Sequence, residues 1–332
     1  MIEACPMHPR FQSLFVHPKK HKPLIFFGSV DGSDGIPVLV FSPTEKWPEE
    51  FLKLLEEIKE AEKIFLGSYR EESWIGRKWI NGYLYAYGEP EMYPVIDGIP
   101  IFSQKDTWPS FNLLKHLREV HALESSWEFR SKDPALREFA KRIAERGSLI
   151  LDIATGPQGG FVPLVLQINP EAMILMNDLG LGLLQEWEKF LKGKNTPNVS
   201  LAQFDIKEMP IKSDSIDIVS EVGGLLEVGS MESVREVYRV LKPGGILFSV
   251  NSMVDKDEFK KLPAEVRTRW YRETPLSIEG FSDAFKQAGF KVVSHILLGE
   301  SEVPPDQSVR AHEAARYGAK LRLRNYRTEA IK

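Results

Sequence analysis

From residue 148 onward, short apolar runs alternate with amphipathic stretches. The runs at 149–151, 173-MILMND-178, 199-VSLAQFDI-206, 216-IDIVSEV-222, 246-ILFSVNSM-253 and 290-FKVVSHILLG-299 read as strands. The stretches 230-SMESVREVYRVL-241 and 277-SIEGFSDAFKQAG-289 read as helices between them. Strand-helix alternation of this kind predicts an α/β layer fold around a mainly parallel sheet. Before it, 110-SFNLLKHLREVHALESSWEF-129 and 133-DPALREFAKRIAERG-147 read as two helices. The second has Asp133 as N-cap, Pro134 at its first position and Gly147 after its end. Beyond 299 the polar stretch 300–318, broken by Pro304-Pro305, reads as a loop over the pocket, and 319–331 as a final strand.

The first 108 residues follow a different pattern. Strands are expected at 24–30, 36–42 and 78–88, and an amphipathic helix at 47–65, with Pro48 in its first turn. The segments 34-DGIPVLVF-41 and 97-DGIPIF-102 echo each other as a turn followed by a strand, with flanks that do not match. The expected organisation is an N-terminal α+β domain at 1–108, a helical linker region at 109–147 and an α/β core at 148–332.

Composition narrows the function classes. With 42% hydrophobic residues, 332 positions supply ample core for two units. A net charge of -4 and a pI near 6.1 lack the basic footprint of a dedicated nucleic-acid binder. The best local basic patch is 318-GAKLRLRNYR-327. A single cysteine, Cys5, allows no disulfide within the chain and no thiolate zinc site. His8, His17 and His21 lie near Cys5 but match no standard metal-ligand spacing, so no metal is expected. No apolar segment is long enough to span a membrane, and MIEACPMHPRFQ has no signal core, so the expected location is cytoplasmic.

The stretch 151-LDIATGPQGG-160 carries the chemistry. A strand ends in an acid, Asp152, and opens into small residues and glycines. Such turns expose backbone N–H groups to a nucleotide. Position 154 is Ala, so the match to the dinucleotide fingerprint is weak. Four pieces in register decide between nucleotides: LDIATGPQGG, the acid in 176-MNDLG-180, FDI followed by 213-SDSIDIV-219, and 241-LKPGG-245 before a strand. Together they resemble class I S-adenosylmethionine-dependent methyltransferases over residues 135 to 300. That resemblance implies a Rossmann-like, doubly wound, mainly parallel seven-stranded sheet, joined here to the N-terminal α+β domain. It implies S-adenosyl-L-methionine as cofactor. Asp152, Ile153, Ala154, Thr155 and Gly156 would face its methionine part. Asp178 would hold the ribose hydroxyls with Leu179 beside the adenine. Asp205 and Ile206 would meet the adenine, and Glu221 and Val222 would lie where cofactor and substrate meet. Ala154 and Gln158 depart from the family's glycines. In addition, 93-YPVIDGIPIF-102 is similar to the tail of a small zinc-ribbon module found with methyltransferases, here without its cysteines.

No catalytic residue is assigned from these motifs. Glu221, His295 and Tyr271 are the candidates for a general base, if the acceptor must lose a proton. Asp217 and LKPGG read as local structure, and the tryptophans as packing residues. No Asn-Pro-Pro-Tyr or Asp-Pro-Pro-Tyr follows the fourth strand, which argues against amino-methylation of bases. A small-molecule acceptor is therefore favoured, with protein or RNA left open, no membrane partner, and a homodimer conceivable. The rival readings are a non-catalytic cofactor-binding or scaffold protein and a nicotinamide-dependent oxidoreductase.

Overall fold

The computed structural model describes residues 11, 13–28, 80–86, 88–103, 121–146, 149–196, 198–228, 230–270, 278–306 and 309–332. The expected strand at 36–42, the helix at 47–65, the first DGIP segment and the first half of the 110–129 helix lie outside them.

Four short strands form an antiparallel N-terminal sheet: β1 (Ile25–Gly28), β2 (Ile80–Tyr85), β3 (Met92–Ile96) and β4 (Ile99–Pro100). β3 and β4 are joined by the two-residue turn Asp97-Gly98, both at positive φ, the hairpin geometry that Asp-Gly favours. Helices α1 (Ala122–Ser131) and α2 (Pro134–Arg146) follow. His121 is left-handed, with φ of 47°, so a helix over 110–129 cannot run through it; α1 begins at Ala122.

The second sheet has seven strands: β5 (Ile150–Asp152), β6 (Ile174–Asp178), β7 (Val199–Gln203), β8 (Ile216–Val222), β9 (Leu241–Val254), β10 (Val292–Val303) and β11 (Leu321–Ile331). Their order is β10-β11-β9-β8-β5-β6-β7. Only β11 runs against the rest, so the sheet is mainly parallel, as expected. Helices α3 (Val162–Ile168), α4 (Leu181–Lys194), α5 (Gly224–Val228) and α6 (Met231–Val240) connect the parallel strands. Successive strand residues feed opposite faces: Ile174 and Met176 join one apolar cluster, Leu175 the other. That two-sided burial is why these strands read as nearly unbroken apolar runs. LKPGG is a bulge inside β9, marked by a register shift between Ile216 and Ile218.

The 300–318 stretch is not a loop. Residues 300–303 complete β10, and helix α10 (Val309–Arg316) follows. Ala311 and Ala314, three apart on one helical face, pack in a cluster with Phe259 of α7 (Lys256–Lys260) and Val266 and Trp270 of α8 (Ala264–Trp270). Pro304-Pro305 ends the strand and does not disturb the helix. Helix α9 (Ile278–Ala288) matches its expectation, as does the final strand.

The two sheets share one core. Phe11, Phe15, Leu84 and Val95 belong to the same buried cluster as Leu151, Ile211 and Val219. Backbone bonds fasten the joint: Val16 N–H donates to Pro210 O at 2.9 Å and Lys212 N–H to Leu14 O at 2.8 Å. Ile101 bridges Gln203 in parallel, so the chain after β4 extends the seven-stranded sheet beyond β7. Phe15 is 1% exposed. Phe15→Ala is expected to cost about 3–5 kcal/mol. Calorimetry of this variant and the parent should show one transition, with both sheets melting together.

Candidate functional site

The strand order reverses at β5: the chain leaves it for β6 on one side and later returns to β8 on the other. Ligands of open α/β sheets bind in the crevice at the carboxyl end of such strands. The turn 153–160 lies there, and Asp152 builds it. Its carboxyl is wholly buried and accepts from Ser220 Oγ at 2.6 Å, from Thr155 Oγ1 at 2.9 Å and from the Phe161 N–H. Any side chain at Gly160 would collide with that carboxyl. Burial raises the Asp152 pKa to about 7, against the pull of the Ser220, Thr155 and Phe161 donors.

The other expected site residues surround this turn. Asp178 ends β6 and accepts from the Gly156 N–H at 2.9 Å and the Gly180 N–H at 2.8 Å. Leu179 beside it is half-buried. Asp205 is half-buried and accepts from the Lys207 N–H at 3.0 Å, an Asx turn, while Ile206 is buried. Gly156 and Gly223 are both at positive φ; a Cβ at Gly223 would stand in open space, and one at Gly156 would meet only Ala154 O, at 3.9 Å. Val222 is half-buried next to Gly223. Ile153 points into the core at 0% exposure.

Of the three candidate bases, Glu221 and His295 lie on strands that are not neighbours. Glu221 is fully buried and ringed by Ser249 Oγ, Asn251 Nδ2 and the N–H groups of Leu225 and Gly224. Burial pushes its carboxyl up in pKa, and those donors pull it back. It anchors the start of α5. His295 lies on β10, the far edge of the sheet, with Nδ1 bonded to Thr328 Oγ1 at 2.8 Å, above a shallow cleft lined by Glu279, Asp283 and Lys286. Tyr271 lies outside the described residues.

Several contributors had no motif to mark them. Asn177 of β6 ties the glycine turn to β7 and the residue after it: its Oδ1 accepts from the Ala154 N–H, and its Nδ2 donates to Ala202 O and Phe204 O. The Trp187 indole donates to Gly156 O at 2.9 Å and fills the space that a Cβ at Gly159 would take. Gln203 donates to Leu179 O and accepts from the Ser103 N–H, tying the N-terminal segment to the loop after β6. Ala154 adopts the left-handed backbone, φ 47°, and its methyl lies where Gly224 has no side chain.

Among the described residues one His/carboxylate group has ligand atoms within 4.8 Å of one another: His17, Glu89 and Glu91. The His17 Nδ1 accepts the N–H groups of Lys19 and Lys20, which puts the ring hydrogen on Nε2, facing Glu91 at 3.4 Å. Glu89 is paired with Lys22. A metal at Nε2 would have to displace that hydrogen while Nδ1 kept its lone pair for two amides. The set is a hydrogen-bonded ring, poorly suited to an ion.

Two outcomes follow from the turn. A Cβ at Gly224 would lie 2.5 Å from the Ala154 methyl. Gly224→Ala should cost about 1–3 kcal/mol, most of it recovered when Ala154→Gly is added, a coupling of at least about 1 kcal/mol in a denaturation cycle. The second concerns pH. A carboxyl whose folded pKa is raised from 3.8 to about 7 contributes its full stability below its unfolded pKa and loses it as pH rises through the folded value. Urea midpoints should show the parent losing about 3 kcal/mol relative to Asp152→Asn between about pH 4 and pH 7, with little further change above about pH 8.

Comparison with known proteins meets this geometry. Residues 134–263 match the model of the ubiE/COQ5 methyltransferase family. A demethylmenaquinone methyltransferase of Listeria welshimeri is 30% identical over 109 residues, 32% of this chain and 46% of that protein. The one from Chlorobaculum parvum is 26% identical over 205 residues, covering 55% of this chain and 80% of that protein. The chain thus spans about half the length of the Listeria relative that it matches. Among solved structures, phosphoethanolamine N-methyltransferase 2 of Haemonchus contortus, in complex with S-adenosyl-L-methionine, superposes with a TM-score of 0.49 at 14% identity, covering 78% of this chain and 65% of that one. The glycine turn, the acid after β6 and five of the seven strands lie within residues 134–263, over which the chain is similar to the ubiE/COQ5 methyltransferase family.

Proposed function

We propose that the protein transfers a methyl group from S-adenosyl-L-methionine to a small organic acceptor. The observation that carries this reading is the bond between Asp178 and the Gly156 N–H, which closes the glycine turn onto the acid after β6 at the strand-order reversal. The cofactor fits the residues present. Gly223 leaves open space, and the Asp178 carboxylate at the end of β6 is the kind of acceptor that a ribose hydroxyl needs. In this reading Asp152, by shaping the turn, and Ala154, Thr155 and Gly156 hold the methionine part. Asp178 and Leu179 hold the ribose and one side of the adenine, and Asp205 and Ile206 the other. Val222 and Gly223 border the acceptor. Glu221 acts through the backbone it anchors.

When bound, the cofactor supplies a methyl group already activated by its sulfonium. The chain's work is then to align an acceptor behind that methyl and to exclude water. No wholly buried carboxylate is required as a base if the acceptor arrives as a nucleophile. The relatives act, by name, on demethylmenaquinone. A demethylmenaquinone-like small molecule is therefore the first acceptor class to supply. The N-terminal unit, residues 1–108, is read as a cover for that acceptor or a dimer contact, and the setting as cytoplasmic. No described helix is long and apolar enough to cross a membrane.

Titration calorimetry with S-adenosyl-L-methionine and, separately, NADH tests the reading. Binding of the former alone is expected. Asp178→Ala should weaken it by about 1.5–3 kcal/mol, the worth of hydrogen bonds to a charged group. Parent-like affinity in that variant, or binding of NADH instead, would contradict the assignment.

A further inference from the structure

Two helical layers cover one face of the long strands β9 and β11, and a gap lies between them. Alternation puts Leu321, Leu323, Asn325 and Arg327 of β11 on that face. At one end Leu321 and Leu323 pack with Val254 of β9 against α7, α8 and α10. At the other, Arg327 pairs with Glu138 of α2 at 3.1 Å and stands 4.2 Å over the Phe139 ring. Leu323 and Arg327 are four residues apart, about 13 Å along the strand. The row between them is Ser252, Asn325 and Gly299, in direct register. Ser252 is exposed although β9 is an interior strand, and Asn325 is half-buried. A Cβ at Gly299 would meet nothing within 4 Å. The sheet therefore forms the open floor of a groove across β9, β11 and β10.

The groove starts at the crevice. Val222, next to Gly223, is in register with Val250, Arg327 and Ile296 in turn. That row crosses three inter-strand spacings, about 14 Å, and ends on the edge strand β10 at Ile296, 49% exposed. It begins where the methyltransferase reading, on which this inference rests, puts the methyl acceptor. The chemistry changes along it. Ser252 Oγ donates to Asn325 Oδ1 at 2.5 Å, which leaves the Asn325 amide N–H groups for a ligand oxygen. Arg327 borders the floor with its side chain 8% exposed and its Nε buried without a partner, while its partner Glu138 is 68% exposed and screened by water. Positive charge on that wall favours an anionic oxygen, and an acceptor that arrives as an oxyanion needs no general base. A floor of Ser and Gly admits a flat ring, and Ile296 makes the far exit apolar. β10 and β11 lie outside the family match at 134–263, so this surface is specific to the chain's own C-terminal strands.

We propose that the methyl acceptor is a flat ring with an ionisable hydroxyl and an apolar arm, bound across β9, β11 and β10 with its oxygen at Asn325 and its arm leaving over Ile296.

The test follows labelled methyl from S-adenosyl-L-methionine into two probes, a naphthalene diol and the same diol carrying a decyl chain. The parent should show a KM about 10-fold lower for the decyl diol, because the chain covers apolar surface at the exit. Ile296→Asp should bring the two KM values together. Ser252→Trp, which fills the floor, should lower kcat/KM about 10-fold or more for both diols, with S-adenosylhomocysteine affinity by titration calorimetry within about twofold of the parent. Parent-like kcat/KM in Ser252→Trp, a matching loss of S-adenosylhomocysteine affinity, or no advantage from the chain in the parent would each overturn the proposal. Transfer to neither diol by a parent that binds S-adenosylhomocysteine overturns the acceptor class and leaves the cofactor reading standing. A parent that does not bind S-adenosylhomocysteine refutes both. Melting temperatures identify a tryptophan variant that fails to fold, and Asn325→Leu, with the same expected loss, then decides.

Discussion

One buried carboxyl organises the glycine turn of this protein. Asp152 has no water to solvate it, so every lone pair must find a donor inside. Ser220 comes from β8, while Thr155 and the Phe161 N–H come from the two ends of the turn. Satisfying the carboxyl therefore clamps the turn shut on itself and to the neighbouring strand. Gly160 is needed because no side chain fits against it, and Gly159 because Trp187 fills the space beside it. The loop that would meet a nucleotide is shaped by a group that cannot itself reach one.

The same logic extends outward. Asn177 ties the turn to the ends of β6 and β7, and Gln203 ties the loop after β6 to the chain leaving the N-terminal sheet. The Asp97 carboxylate of the β3–β4 hairpin accepts from Gln185 on α4 at 2.8 Å. The N-terminal sheet thus braces α4 and the loop after β6, in addition to sharing a core with the second sheet. On β8 and β9 a second buried carboxyl, Glu221, is satisfied in the same manner and positions α5. Both carboxyls spend their hydrogen bonds on shape.

Much of the α/β unit was legible because its strands are buried on both faces and its helices are amphipathic; periodicity sees both. The glycine turn, the acids after β6 and β7 and the order of strands 216–222 and 246–253 could be read for that reason. What escaped depends on contacts between distant positions. Ala154 departs from the glycine pattern, yet its left-handed backbone is tolerated because Gly224, seventy residues on, leaves room for a methyl. Nothing local marks that pairing. Asn177 sits inside an apolar run, and its three partners lie on other strands or loops. Helix α1 starts later than its apolar pattern predicts, because no composition signal announces a left-handed His121. The 300–318 stretch looked like a loop because charges and a proline pair hid a helix whose buried face is only alanine.

Hydrogen exchange with and without S-adenosylhomocysteine tests the central claim most directly, since amides report the turn itself. The account predicts slower exchange on binding at 153–160, 178–180 and 203–206 together, because Asp152, Asp178 and Asn177 make them one unit, with β10 and β11 unchanged. Protection confined to the cleft near His295, or none at the turn when ligand is bound, would contradict it.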